Sequence, residues 1–155
     1  MRYLTVLFVF AFIVLLNGCG SDPLPKEKRL LNSIAAVEAG AEERSLDEVM
    51  TYVSKTYSDD KGWGFRDIQR LVQIQIMRYK NLYVLTDVKN VEWLSETEAK
   101  VTISVAVAGK PINDASLLES IRADIISFEI LMRAEDDIFV TQSATWSRGG
   151  LSDFL

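Results

Sequence analysis

The residue types that could do chemistry in this chain are carboxylates, phenols and a single thiol. Its 155 residues include no His and one Cys, which excludes His-based catalytic triads, His general bases and most zinc sites. The formal net charge of −5 argues against a nucleic-acid partner, since binding phosphates requires a basic surface. The chain also lacks a P-loop and a dinucleotide-binding glycine motif. We therefore expect no metal and no cofactor.

Asp124 is the best available proton acceptor in the sequence. It is in register with an alternating apolar run from Ile126 to Met132, so its carboxylate points inward if that face of the strand is interior. Burial there would raise its pKa toward the range of a general base; otherwise Asp124 is a solvated carboxylate at a strand end. Tyr57 and Tyr79 each end an apolar helical stripe. Their phenols either donate to such a base or pack at the core or its rim.

Three further side chains are candidates for contacting a ligand. Gln75 falls within an apolar helical face, where its amide either lines a pocket or bonds to a neighbouring strand. Trp63 stands between two glycines, so it either grips a ligand or partner or folds back over the core. Gln142 is in register with Ala144 and Trp146, and the pattern leaves open which face of that strand is interior.

Three helical stretches that could position these groups precede the strands. Apolar residues recur at helical spacing over residues 26–43. A second helix is predicted to start at Ser45, which has capping-box spacing to Glu48, and its apolar stripe runs to Tyr57. The third helix is predicted over residues 65–80, after a run of turn-forming residues.

From residue 82 onward the apolar period changes from helical spacing to two, which is typical of strands. The predicted strands cover residues 82–94, 100–108, 120–133 and 138–147. Short connections between them imply antiparallel pairing, because parallel neighbours need crossovers of a dozen or more residues. Three helices before one antiparallel sheet predict an α+β domain with its helices packed on one face of the sheet.

The order and spacing of several short motifs resemble the NTF2-like (SnoaL-like) superfamily. The segments that carry the resemblance are residues 34–40, 46–50, 57–62, 122–124, 128–130 and 144–146. The resemblance implies a strongly bent antiparallel sheet wrapped round three helices, a cystatin-like cone with a pocket at its wide end. It also implies a choice among isomerases, dehydratases, cyclases and non-catalytic binding or assembly domains. In catalytic relatives an Asp–His pair, or an equivalent acid and base, usually faces the cavity, and this chain has no His.

The first 19 residues combine an apolar leader with the only thiol. After Arg2 comes a run of 13 residues, Leu4–Leu16, that are apolar except for Thr5. Its length fits a signal-peptide core of about 7–15 residues and not a membrane span of roughly 20. The following Leu16-Asn17-Gly18-Cys19 resembles the bacterial lipobox. That resemblance implies cleavage before Cys19 and a diacylglycerol on its thiol; an ordinary signal peptide is the alternative.

The expected organisation is a signal peptide over residues 1–18, a tether over 19–25 that carries the lipid on Cys19, and an NTF2-like domain over 26–155. The chain is therefore expected in the bacterial cell envelope, attached to the membrane by acyl chains such as palmitate. Gly20 follows Cys19 where, in bacterial lipoproteins, Asp would favour the inner membrane. In a bacterium with two membranes, the resemblance therefore implies the periplasmic side of the outer membrane over the inner membrane.

Three functional hypotheses follow, and the first is preferred. A non-catalytic, lipid-anchored domain would bind a small apolar ligand or another envelope protein. An enzyme of isomerase or dehydratase type would use Asp124 with Tyr57 or Tyr79. An assembly module would form a homodimer through the outer face of the sheet, where Thr102 and Ser104 lie.

Overall fold

The computed structural model describes residues 24–112 and 114–154, which form three helices followed by a four-stranded antiparallel sheet. The helices are α1 (Lys26–Glu42), α2 (Leu46–Thr51) and α3 (Phe65–Arg78), and the strands are β1 (Tyr83–Trp93), β2 (Glu98–Ala108), β3 (Asp124–Glu135) and β4 (Ile138–Arg148). The strands pair in chain order, so the predicted α+β plan is confirmed. The predicted leader and Cys19 lie outside the described residues.

Two irregularities in strand pairing bend the sheet around the helices. The β1–β2 register shifts between Val88 and Asn90, and the β3–β4 register shifts between Leu131 and Met132. An extra residue on one strand of an antiparallel pair bends that strand and increases its twist. The sheet is therefore concave toward the helices, as in the cone that the sequence predicts.

The best-packed part of the core lies where α1 crosses the concave face. Leu30 on α1 and Phe139 on β4 are both fully buried, and they cluster with Val101 and Met132 of the central strands. Ser33 is also buried: its hydroxyl donates to the Arg29 carbonyl at 3.0 Å and accepts from the Phe139 amide at 2.9 Å. This contact fixes α1 against the start of β4.

Helix α2 is shorter than its apolar stripe predicts. Ser45 is its N-cap, as expected, and accepts from the Glu48 amide, but the helix ends at Thr51. The segment that follows instead pairs with the edge of β4, where the Ser54 amide donates to the Thr141 carbonyl at 3.0 Å. The prediction that Tyr57 ends a helical stripe is therefore wrong, because Tyr57 lies in the loop after α2.

The outer face of the sheet is partly covered by the chain itself. A 3₁₀ helix, Ala115–Glu119, and the segment ending at Phe154 pack over Ala106 and Ala108. The C-terminal segment is also held by Asp153, which accepts from the Ser127 hydroxyl at 3.0 Å. Ser104, the residue paired with Ser127, is only 3% exposed. The expectation that Ser104 offers a dimerisation surface is therefore wrong, whereas Thr102 is partly exposed.

Candidate functional site

A phenol and a carboxylate meet at one end of the concave face. Tyr79 directly follows α3 and Asp124 is the first residue of β3. The Tyr79 hydroxyl donates to Asp124 Oδ2 at 2.7 Å, and Arg78 Nη1 lies 3.8 Å from the same oxygen. The side chain of Asp124 is 42% exposed. The pair therefore lies at an open edge of the fold, where a ligand can reach it.

The surroundings of this pair determine which of its two groups carries the proton. Burial raises the pKa of the Tyr79 phenol, and the hydrogen bond and negative charge of Asp124 raise it further, while Arg78 lowers it. The phenol therefore stays protonated well above neutral pH and acts as a donor. Both contacts of the carboxylate use Oδ2, which leaves Oδ1 to accept a hydrogen bond or a proton from a bound molecule.

Of the two predicted tyrosines, only Tyr79 reaches Asp124. Tyr57 is buried, and its hydroxyl donates to Asp59 Oδ2 at 3.1 Å. Burial, followed by the charge of Asp59, strongly raises the pKa of Tyr57. The other oxygen of Asp59 accepts from the amides of Lys61 and Trp63. Tyr57 and Asp59 therefore shape the loop before α3, and Tyr57 is not a partner of Asp124.

An aromatic cluster lies farther along the concave face. The ring centroids of Trp63 and Trp146 are 5.4 Å apart, and those of Phe128 and Trp146 are 6.3 Å apart. Lys61 Nζ lies 3.8 Å from the Trp146 ring centroid, which is within range of a cation–π interaction. Trp63 thus folds back over the sheet and remains only partly buried.

An incompletely covered apolar surface extends from the pair into the aromatic cluster. We call Ile68, Ile126, Phe128 and Trp146 the inner apolar surface. Ile126 and Phe128 lie on the concave face of β3, and Trp146 on β4 pairs with Phe128. Ile68 is one helical turn before Val72, which packs on the sheet. All four are only partly buried. The concave face is thus well packed under α1 and more open beside α3.

The two predicted glutamines do not join the pair. Gln75 is partly buried on α3, one turn before Tyr79. Gln142 donates to Glu135 Oε1 at 3.2 Å and accepts from the Thr56 hydroxyl at 3.5 Å. Glu135 ends β3, whereas Asp124 begins it. Gln142 therefore holds the loop after α2 against β4, at the opposite end of the sheet from the pair.

A hollow of about 350 Å³ lies near the edge of β4, on the other side of the sheet. The charged and hydroxyl side chains that line it are Ser58, Asp59, Asp60, Lys100, Glu129, Ser143 and Thr145. Lys100 Nζ and Glu129 Oε1 are 3.0 Å apart, so these two charges neutralise each other. This hollow is separate from the inner apolar surface.

The described residues contain neither a metal-binding cluster nor a membrane-spanning helix. Over residues 24–112 and 114–154, no group of three or more acidic, His or Cys side chains is arranged to hold a metal ion. No helix within those ranges has the length and hydropathy needed to cross a bilayer.

The sequence interpretation missed two arginines that border the site. Arg78 precedes Tyr79, and Arg148 pairs with Ile126 two residues beyond Trp146. The period-two pattern of β4 would have placed Arg148 on the same face as Trp146, had the inner face been known.

Comparison with solved structures confirms the fold that the sequence predicts. A candidate scytalone dehydratase from Novosphingobium aromaticivorans superposes with a TM-score of 0.65 at 10% identity, covering 81% of this chain and 85% of that one. An NTF2-like protein of unknown function from Shewanella oneidensis gives 0.55 at 16% identity, covering 76% and 94%. A type 2 hexachlorocyclohexane dehydrochlorinase, LinA, gives 0.60 at 10% identity, covering 82% and 87%.

The sequence comparisons add no family assignment. The chain matches no model of a protein family and no protein of curated function. At the identities above, the structural likeness shows an NTF2-like fold and leaves the function to be argued from the site.

Proposed function

We propose that this chain is a lipid-anchored protein of the bacterial cell envelope whose NTF2-like domain binds a small apolar molecule without catalysing a reaction. The observation that carries the binding proposal is the inner apolar surface, whose four side chains face the interior of the fold and are only partly buried. Burying apolar surface yields about 25 cal/mol per Å². A ligand that covers these side chains therefore binds favourably.

The neighbouring groups suit an uncharged or amphipathic ligand. Trp63 and Trp146 offer large rigid faces that lose little entropy on binding. The Tyr79–Asp124 pair supplies acceptors at the end of the apolar surface, because the Tyr79 proton is already donated to Asp124 Oδ2 and Oδ1 remains free among the described residues. A few placed polar groups beside an apolar lining are typical of small-molecule sites. An envelope protein that inserts an apolar side chain here is the alternative partner.

The binding proposal is tested by titrating dodecanol into the full chain and following Trp fluorescence. Trp146 belongs to the surface, so its emission reports occupancy. Ile126→Ser should weaken binding by about tenfold, since it removes roughly 1–2 kcal/mol of apolar contact. Ile74→Ser is the matched control, because Ile74 is 49% exposed on the outer side of α3. Equal affinities in the two variants, or no binding by the unmodified chain, would overturn the proposal.

The anchoring proposal rests on the sequence around Cys19. The thiol follows the apolar run directly, and α1 begins only seven residues later, at Lys26. A short tether of this kind would hold the domain close to the bilayer. Two or more acyl chains give durable attachment, whereas one gives marginal attachment.

Lipidation is tested by growing cells with a clickable palmitate analogue. The unmodified chain should take up the label and fractionate with membranes, and Cys19→Ser should take up none. Ser21→Ala is the control and should be labelled normally. An unlabelled native chain, or a labelled Cys19→Ser variant, contradicts the anchor.

A second candidate function is favoured by one contact, the 2.7 Å hydrogen bond between Tyr79 and Asp124. In an elimination, Asp124 Oδ1 would take a proton from carbon while Tyr79 gives its proton to the departing hydroxide. The C–H and C–O bonds break, a C=C bond forms, and water leaves. Two of the similar structures carry names of elimination enzymes, which supports testing this chemistry.

Elimination is tested with a panel of β-hydroxy ketones followed by mass spectrometry. Loss of one water molecule, abolished in Asp124→Asn and strongly slowed in Tyr79→Phe, would favour the enzyme. Asp114→Asn, an exposed carboxylate at the cap of the 3₁₀ helix, is the control. Turnover that persists in Asp124→Asn would contradict this role.

A further inference from the structure

We propose that the bound molecule is a long-chain carboxylate whose head binds Arg148 and Arg78 and whose alkyl chain covers the inner apolar surface. This inference rests on the proposed binding function and names its ligand class. The juxtaposition that carries it is an excess of positive charge at one end of an apolar surface.

The first step is the position of Arg148. It pairs with Ile126 in the β3–β4 register, and Asp124 is two residues from Ile126 on the same face. Diagonal neighbours on one face of an antiparallel pair lie roughly 7–8 Å apart, within the reach of an Arg side chain. Arg148 is exposed, and it forms no ion pair with any residue in the described ranges.

The second step is the local balance of charge. Arg78 Nη1 lies 3.8 Å from Asp124 Oδ2, and the strand register sets Arg148 diagonally across from Asp124 on the same face. Two arginines therefore accompany one carboxylate at this end of the face. A second carboxylate at this point would complete the pairing. Guanidinium groups bind carboxylates through two parallel hydrogen bonds.

The third step is the wider charge distribution. The chain carries a net charge of −5, yet residues 65–80 contain four cations and one carboxylate. The exposed arginines of this stretch include Arg66, Arg70 and Arg78. Such a basic stretch raises the local concentration of anions and steers them toward the site.

The fourth step is the length of the apolar surface. Asp124, Ile126 and Phe128 alternate on one face of β3, and the four-residue interval from Asp124 to Phe128 spans about 13 Å of extended strand. Trp146 lies opposite Phe128 and extends the surface sideways. An alkyl chain of medium length that starts at the arginines would therefore end among the aromatic rings.

The inference is tested by comparing dodecanoate with dodecanol in the same Trp-fluorescence titration of the full chain. Dodecanoate should bind more tightly, and added NaCl should reduce its advantage because exposed charges are screened. Arg148→Gln should weaken dodecanoate binding about tenfold, or about 1.4 kcal/mol, and leave dodecanol binding unchanged. Arg133→Gln is the matched control, since that side chain is 50% exposed and its Nη2 lies 2.7 Å from Glu98 Oε1, at the end of the sheet opposite Asp124.

The outcomes separate this inference from the function on which it rests. Binding of both probes with equal affinity would overturn the carboxylate head and leave the binding function intact. Binding of neither probe would overturn both. A preference for dodecanoate that survives Arg148→Gln, or that Arg133→Gln abolishes equally, would contradict the assigned position of the head.

Discussion

The hydroxyl of Tyr79 and the carboxylate of Asp124 are 2.7 Å apart although 45 residues separate them in the chain. This contact joins the end of α3 to the start of β3, at the edge of the inner apolar surface. The pair is thus both a structural tie and the polar end of the proposed site. The two roles can be separated, because a loss of stability and a loss of binding are measured independently.

Tyr79→Phe should lower the free energy of unfolding by about 1 kcal/mol, the typical net value of one hydrogen bond. The aromatic ring and its packing against Ile76 are retained. Urea denaturation measures the change. Tyr83→Phe is the control, because Tyr83 is partly buried on β1 and its ring packs in a different cluster. A similar loss in both variants would mean that the Tyr79 hydroxyl has no special role.

The folded chain should lose stability as the pH rises above 10. The pKa values of Tyr57 and Tyr79 are raised in the folded state, so between pH 10 and those higher values the unfolded chain has released protons that the folded chain still holds. Ionisation then favours unfolding. Absorbance at alkaline pH should show two phenols that ionise at higher pH than the others. Tyr57→Phe and Tyr79→Phe should each remove one of these two late ionisations. Identical titration curves for the folded chain and for the chain in concentrated guanidinium chloride would refute this.

Ser33→Ala should cost about 1–3 kcal/mol of stability. The substitution removes the only side-chain acceptor of the Phe139 amide in the described structure, and both residues are almost fully buried. A buried donor without a partner bears the full cost of desolvation. Ser152→Ala, an exposed Ser→Ala change near the C-terminus, should be close to neutral. Thermal unfolding midpoints that agree for the two variants would contradict the argument.

Gly62→Ala should cost about 1 kcal/mol, because Gly62 has φ = +77°, a region that disfavours a side chain. Gly62 is in the loop that carries Trp63, so near-ultraviolet circular dichroism of the Trp63–Trp146 pair should change as well. Gly150→Ala is the comparison, since its φ is −132° and an added Cβ makes ordinary contacts. If Gly62→Ala has the stability and the spectrum of the unmodified chain, the loop does not depend on this conformation.

The sequence predicted the fold well because local patterns decide helices and strands. Period-two alternation placed Asp124 on the face of Ile126 and Phe128, and the β3–β4 register confirms that they share a face. The patterns failed where non-local pairing overrode them. Tyr57 fits a helical stripe, yet the hydrogen bonds of Ser54 and Ser58 to the edge of β4 end α2 early. Gln142 fits the alternation of β4, yet the bulge opposite Leu131 and Met132 directs it toward Glu135.

By itself, the sequence determined the order of elements, the apolar leader with its adjoining Cys19, and the residues that share a face of each strand. Only the tertiary structure decided that Tyr79 and not Tyr57 meets Asp124, that Arg78 lies beside the pair, and that Arg148 shares its face of the sheet. The physical reason is that hydrophobic periodicity acts over one turn or one pleat of the chain. The bend of the sheet and the docking of α3 depend on contacts between distant segments, and these contacts bring the polar groups together.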